Sequence, residues 1–151
     1  MCRVLYIAAD ASLELVPDRS AAPLSVRPIE SSEEAVRRQF TKPHVYFIGA
    51  HPGCSCGFSY GFGADVNGEG RESVRELHTY LGRALASLGV VELYACWNGE
   101  EAEPRQDSLR LTLPTFSADA PQFEFGDRTF MVVVSTTNRG VEADGDRKQC
   151  D

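Results

Sequence analysis

The sequence predicts an α/β (α+β) fold, a single mixed β-sheet of five to six strands with two main helices packed on one face. Three observations carry this. The apolar runs Val4 to Ala8 and His44 to Gly49 are short and sharply bounded, as buried strands are. Between Arg71 and Leu88, Val74, Leu77, Leu81, Leu85 and Leu88 recur at three- and four-residue steps and draw one apolar stripe along a helix. Strands and helices alternate along the first two thirds of the chain and strands alone follow, the order of a mixed sheet.

Each element has a local reason. Val4 to Ala8 forms the first strand. Residues 11 to 30 hold three prolines and no clear period, and are expected as loop. Ser31-Ser32-Glu33-Glu34 opens a helix through a capping box between Ser31 and Glu34. Ala35, Val36 and Phe40 give that helix a narrow apolar face, and Pro43 stops it. His44 to Gly49 is the second strand. Phe58, Tyr60 and Phe62 alternate with Ser59 and Gly61, which favours a returning hairpin strand over an aromatic loop laid on the sheet. Gly89 ends the Arg71 helix, and Val90 to Cys96 is the third strand. The acidic stretch 98–108 is expected as an exposed loop. Leu109, Leu111 and Leu113 alternate with polar neighbours on a half-buried strand that ends at Pro114. Phe123 to Phe125 and Thr129 to Val134 flank Gly126-Asp127, a hairpin turn. Residues 1–135 are expected as one globular domain and 136–151 as a polar, flexible tail.

Composition excludes several functions. The net charge of −7, with Arg37-Arg38 as a lone basic pair beside Glu33-Glu34, argues against nucleic acid. No apolar run approaches the roughly 20 residues that cross a bilayer, so no membrane partner is expected. The first ten residues lack the basic-then-apolar order of a signal peptide, and the five cysteines show no disulfide framework. A cytoplasmic protein is expected. The glycines at 57, 61, 63, 68 and 70 precede a helix but form no G-x-G-x-x-G, so they are not a phosphate loop.

The chemistry concentrates at His51-Pro52-Gly53-Cys54-Ser55-Cys56-Gly57, where an imidazole and two thiols follow the second strand. His51-x-x-Cys54 lets a tight turn present two soft ligands to one ion, with Cys56 and Cys96 completing a Cys3His zinc set. The segment is similar in outline to a zinc knuckle, with Ser55 where a glycine usually follows the second ligand. A thiol-dependent enzyme or redox switch using Cys54 or Cys56 is the alternative, with His51 as base and Asp10 or Asn98 orienting it. A further alternative is an interaction module built on Phe58, Tyr60 and Phe62, with a protein partner or a homo-oligomer. A purely structural tight loop is the fourth reading. These residue types fit either an enzyme or a binding protein.

Met1-Cys2-Arg3 resembles the start of class II glutamine amidotransferases, which expose a nucleophilic cysteine when the initiator methionine is removed. The short chain and its helix-bearing order differ from that four-layer fold, so Cys2 reads as a strand-opening residue. Joining the first two strands through the Ser31 helix by a right-handed crossover makes them parallel. Asp10, the His51–Cys56 loop and Cys96-Trp97-Asn98 then share one sheet edge, with Cys2 about 20 Å away at the other.

Overall fold

The computed structural model describes residues 1–51, 53–63 and 67–135. The sheet has six strands: β1 (Arg3–Ala9), β2 (Leu24–Pro28), β3 (His44–Ala50), β4 (Val90–Trp97), β5 (Asp107–Thr112) and β6 (Thr129–Val134). Their order is β2-β3-β1-β4-β6-β5. Every neighbouring pair is antiparallel except β5 and β6, which makes the sheet mixed as expected. The 136–151 tail lies outside the described residues.

β1 is the central strand, and its alternation divides the core. Leu5, Ile7 and Ala9 pack with Val74, Leu77 and Leu81 of α1 (Glu69–Leu88) on one face. Val4, Tyr6 and Ala8 pack on the other with Val36, Val45, Phe47, Tyr94 and Cys96. Val36 belongs to a 3₁₀ helix, Ser31–Gln39, so the two helices cover opposite faces rather than one. The α1 stripe is buried as its spacing predicts, and Gly89 caps it in the left-handed region at φ 77°, donating its N–H to Leu85 O at 2.8 Å.

Several expectations need correction. The 3₁₀ helix is capped one residue earlier than predicted: Glu30 and Glu33 form the reciprocal pair, with Glu30 N–H donating to Glu33 Oε2 at 2.7 Å. The stretch expected as loop contains β2, an edge strand that tolerates Pro28 because its outer N–H side needs no partner. Phe58 to Phe62 is not a hairpin strand. Phe58 and Tyr60 are buried in an irregular segment, and only the bridge from Tyr60 to Phe123 is ladder-like. Phe123 to Phe125 forms no hairpin with β6, whose two edges are taken by β4 and β5. Phe123 instead stacks on Tyr60 with centroids 6.3 Å apart, and Phe125 meets Phe58 edge-on at 6.3 Å. Within the acidic 98–108 stretch, Glu101 is buried, its carboxylate accepting from Gly99 N–H at 2.9 Å and Tyr6 O–H at 3.3 Å.

The correction that matters most is the direction of β1 against β3. They are antiparallel, with Leu5 opposite Ile48 and Ala9 opposite His44. The helix at Ser31 joins β2 to β3, which are themselves antiparallel, so the crossover rule for parallel strands does not apply. Asp10 therefore lies at the sheet edge away from the cysteine loop, ion-paired with Lys42 at 2.7 Å. Cys2 lies on the loop's side. The single sheet is also not the four-layer arrangement of class II amidotransferases.

Candidate metal centre

Antiparallel pairing returns the exit of β3 to the entrance of β1. The chain then turns tightly: Gly53 N–H donates to Ala50 O at 2.7 Å and Ala50 N–H to Cys54 O at 3.1 Å. Gly53 has φ 93°, a conformation that glycine adopts without steric cost. A 3₁₀ turn, Ser55–Gly57, follows directly. Gly57 allows the close return, since a Cβ there would collide with the His51 carbonyl oxygen.

Ser55 fastens this loop to the sheet. Its buried hydroxyl accepts the Leu5 N–H at 2.9 Å and donates to the Ile48 carbonyl at 2.6 Å, bridging β1 and β3 where the two are in register. One residue on, Cys56 Sγ accepts the Arg3 N–H at 3.1 Å. From the other side, Asn98 N–H donates to Cys2 O at 2.8 Å and carries the β1–β4 pairing past Arg3 and Trp97. These bonds hold Cys2 beside the loop. The Sγ atoms of Cys2, Cys54 and Cys56 all lie within 4.8 Å of one another.

Two thiolates on one tetrahedral zinc, each at about 2.3 Å, stand about 3.8 Å apart. The cluster therefore reaches bonding geometry by closing through roughly 1 Å or less, within the reach of χ1 adjustment. All three donors are sulfur, a soft set suited to zinc or another thiophilic ion. Cys2 and Cys56 are exposed and Cys54 is half-buried. Burial pushes the Cys54 thiol above its ordinary value, against the lowering effect of a hydrogen bond from the Cys56 backbone.

The other two predicted ligands are placed elsewhere. His51 is buried and turned toward α1, its Nε2 3.5 Å from Glu72 Oε2 and its backbone N–H donating to Ser73 Oγ at 3.3 Å. Cys96 sits in the opposite core layer beside Val4 and Tyr94, fully buried, and burial pushes its thiol up to about 12. Cys54 and Cys56 were legible from their spacing, and Cys2 was not. The signal for Cys2 lay in Leu24-Ser25-Val26-Arg27, whose alternation marks the extra strand that turns β3 antiparallel to β1.

No known protein family, curated protein or solved structure matches the chain.

Proposed function

We propose that this protein binds a soft metal ion, zinc in the first instance, through Cys2, Cys54 and Cys56, in a structural or binding role. The observation that carries the reading is the convergence of three thiols from two distant chain segments, fixed by a specific set of hydrogen bonds. Bound there, the ion ties β1 to the loop after β3. Closing a loop of roughly 50 residues stabilises a fold by about 4 kcal/mol in the chain-entropy view. Coordination requires thiolates, so binding releases protons and weakens as pH falls.

The convergence of three sulfurs favours coordination over nucleophilic chemistry, and His51, the base that chemistry would need, faces Glu72 instead. An activated thiol needs its pKa lowered, whereas burial raises that of Cys54. A cation bound by the three sulfurs reverses that penalty by favouring the thiolate. The interaction-module reading loses most of its surface, because Phe58 and Tyr60 are core residues and Phe62 alone stays exposed. Among the described residues, no helix is long and apolar enough to cross a membrane.

The test is metal analysis of protein purified without an affinity tag, followed by zinc titration against a competing chelator. One equivalent of tightly held zinc is expected, lost in Cys2→Ser and Cys56→Ser and kept in Cys96→Ala. Less than about 0.2 equivalents after supplementation refutes a tight site.

A further inference from the structure

We propose that the ion held by Cys2, Cys54 and Cys56 keeps one coordination position for a ligand from outside the fold, and that this ligand is a thiol. The inference rests on the metal-binding reading above and specifies what the site takes. Zinc takes four ligands, and a site with three protein ligands holds water or substrate at the fourth. Among the described residues, no fourth His, Cys, Asp or Glu donor joins the group within 4.8 Å. The near candidates point elsewhere: His51 Nε2 is buried 3.5 Å from Glu72 Oε2, and Cys96 lies buried in the layer on the far face of the sheet from α1. Asp18 approaches the loop at Gly53 without joining the cluster.

The surroundings leave that position accessible. Cys2 and Cys56 are exposed, and the loop's flanking residues Gly53 and Gly57 carry no side chain to cover it. Three sulfurs already make the ion a soft partner, which favours sulfur over oxygen at the fourth position. The exchange balances without an oxidant. The metal–oxygen bond to water breaks, a metal–sulfur bond forms, and the incoming thiol's proton passes to solvent.

Cobalt(II) substitution of the full chain reads this directly, with a phosphine reductant so that no thiol is present at the start. Expected first is a 1:1 complex with thiolate-to-cobalt absorption of three sulfurs. Glutathione should then raise that absorption by about one third, from three thiolates to four, saturating at one thiol per cobalt. Native mass spectrometry separates the sources of the sulfur. One glutathione per monomer assigns a small thiol, and a dimer sharing one ion assigns a cysteine of another chain; either supports the proposal. A 1:1 cobalt complex that glutathione leaves unchanged overturns it while the metal-binding reading stands. So does four-sulfur absorption before any thiol is added that falls in Cys150→Ser, since the chain would then complete its own site. Failure to bind cobalt or zinc at all overturns the metal-binding reading itself.

Discussion

Replacing Ser55 with alanine deletes the hydroxyl that joins β1 to β3 beside the cysteines. With Ser55 only 2% exposed, the change strips a partner from the Leu5 N–H and from the Ile48 carbonyl inside the core. An unsatisfied buried group costs about 1–3 kcal/mol, and a carbonyl with a second lone pair sits toward the low end. The expected loss is about 2–4 kcal/mol. Water does not repair the break, because one missing oxygen opens less than a water's share of liquid volume, about 30 Å³. Urea unfolding of the metal-free protein measures the loss. The midpoint should fall by about 1–2 M with the slope unchanged. Because the same hydroxyl positions Cys54 and Cys56, zinc affinity should drop about tenfold, equivalent to about 1.4 kcal/mol. A loss below about 0.5 kcal/mol, the scale of an exposed change such as Ser12→Ala, refutes the reasoning. It would mean that the strands close on each other without the bridge.

Three further outcomes follow from the same geometry. Burial pushes the Cys96 thiol up to about 12 from its ordinary 9.0, so the stability it contributes is intact below pH 9 and lost as pH rises toward 12. Between pH 9 and 10, where the raised phenols of Tyr6, Tyr80 and Tyr94 begin to add to the decline, Cys96→Ala should flatten it relative to wild type by up to about 1.4 kcal/mol per pH unit in urea unfolding; an unchanged slope contradicts the burial argument. Glu92 is buried and its carboxylate accepts from Thr41 N–H, Thr41 Oγ1 and Lys42 N–H at 2.9, 2.9 and 3.1 Å. Glu92→Ala should cost about 3 kcal/mol and Glu92→Gln about half that, and equal losses would show that charge rather than acceptor geometry matters. Gly57→Ala drives a Cβ into the His51 carbonyl and to 2.8 Å from Ala50 Cβ, so the loop must shift. Its zinc affinity should fall at least tenfold in chelator competition, and wild-type affinity would place the cysteines' convergence outside this packing.

The parts of the fold governed by local pattern were legible. The stripe of Val74, Leu77, Leu81 and Leu85 specified α1, and the apolar runs specified β1, β3 and β4. What failed depended on which distant segment claims a partner. Phe123 and Phe125 alternate like a strand, yet their rings are worth more against Tyr60 and Phe58 than their backbone is in a ladder already full on both sides. β2 hid among prolines because an edge strand needs only one satisfied side. Missing it reversed the inferred direction of β3, and that reversal moved Cys2 from the far edge to the centre of the site. Two of the three thiols were therefore visible in a six-residue window, and the third only through topology.

The central place of β1 also governs the order in which this molecule assembles. Its two neighbours come from far along the chain, Leu5 meeting Ile48 on one side and Arg3 meeting Trp97 on the other. Such non-local pairing slows folding, because loop closure must precede the contacts that reward it. Until β4 is in place, Cys2 lacks the Asn98 bond that holds it, while Cys54 and Cys56 already stand one residue apart in the sequence. An ion arriving early meets two sulfurs, and one arriving after β4 docks meets three. Capture by all three sulfurs is therefore expected only once β1, β3 and β4 have come together.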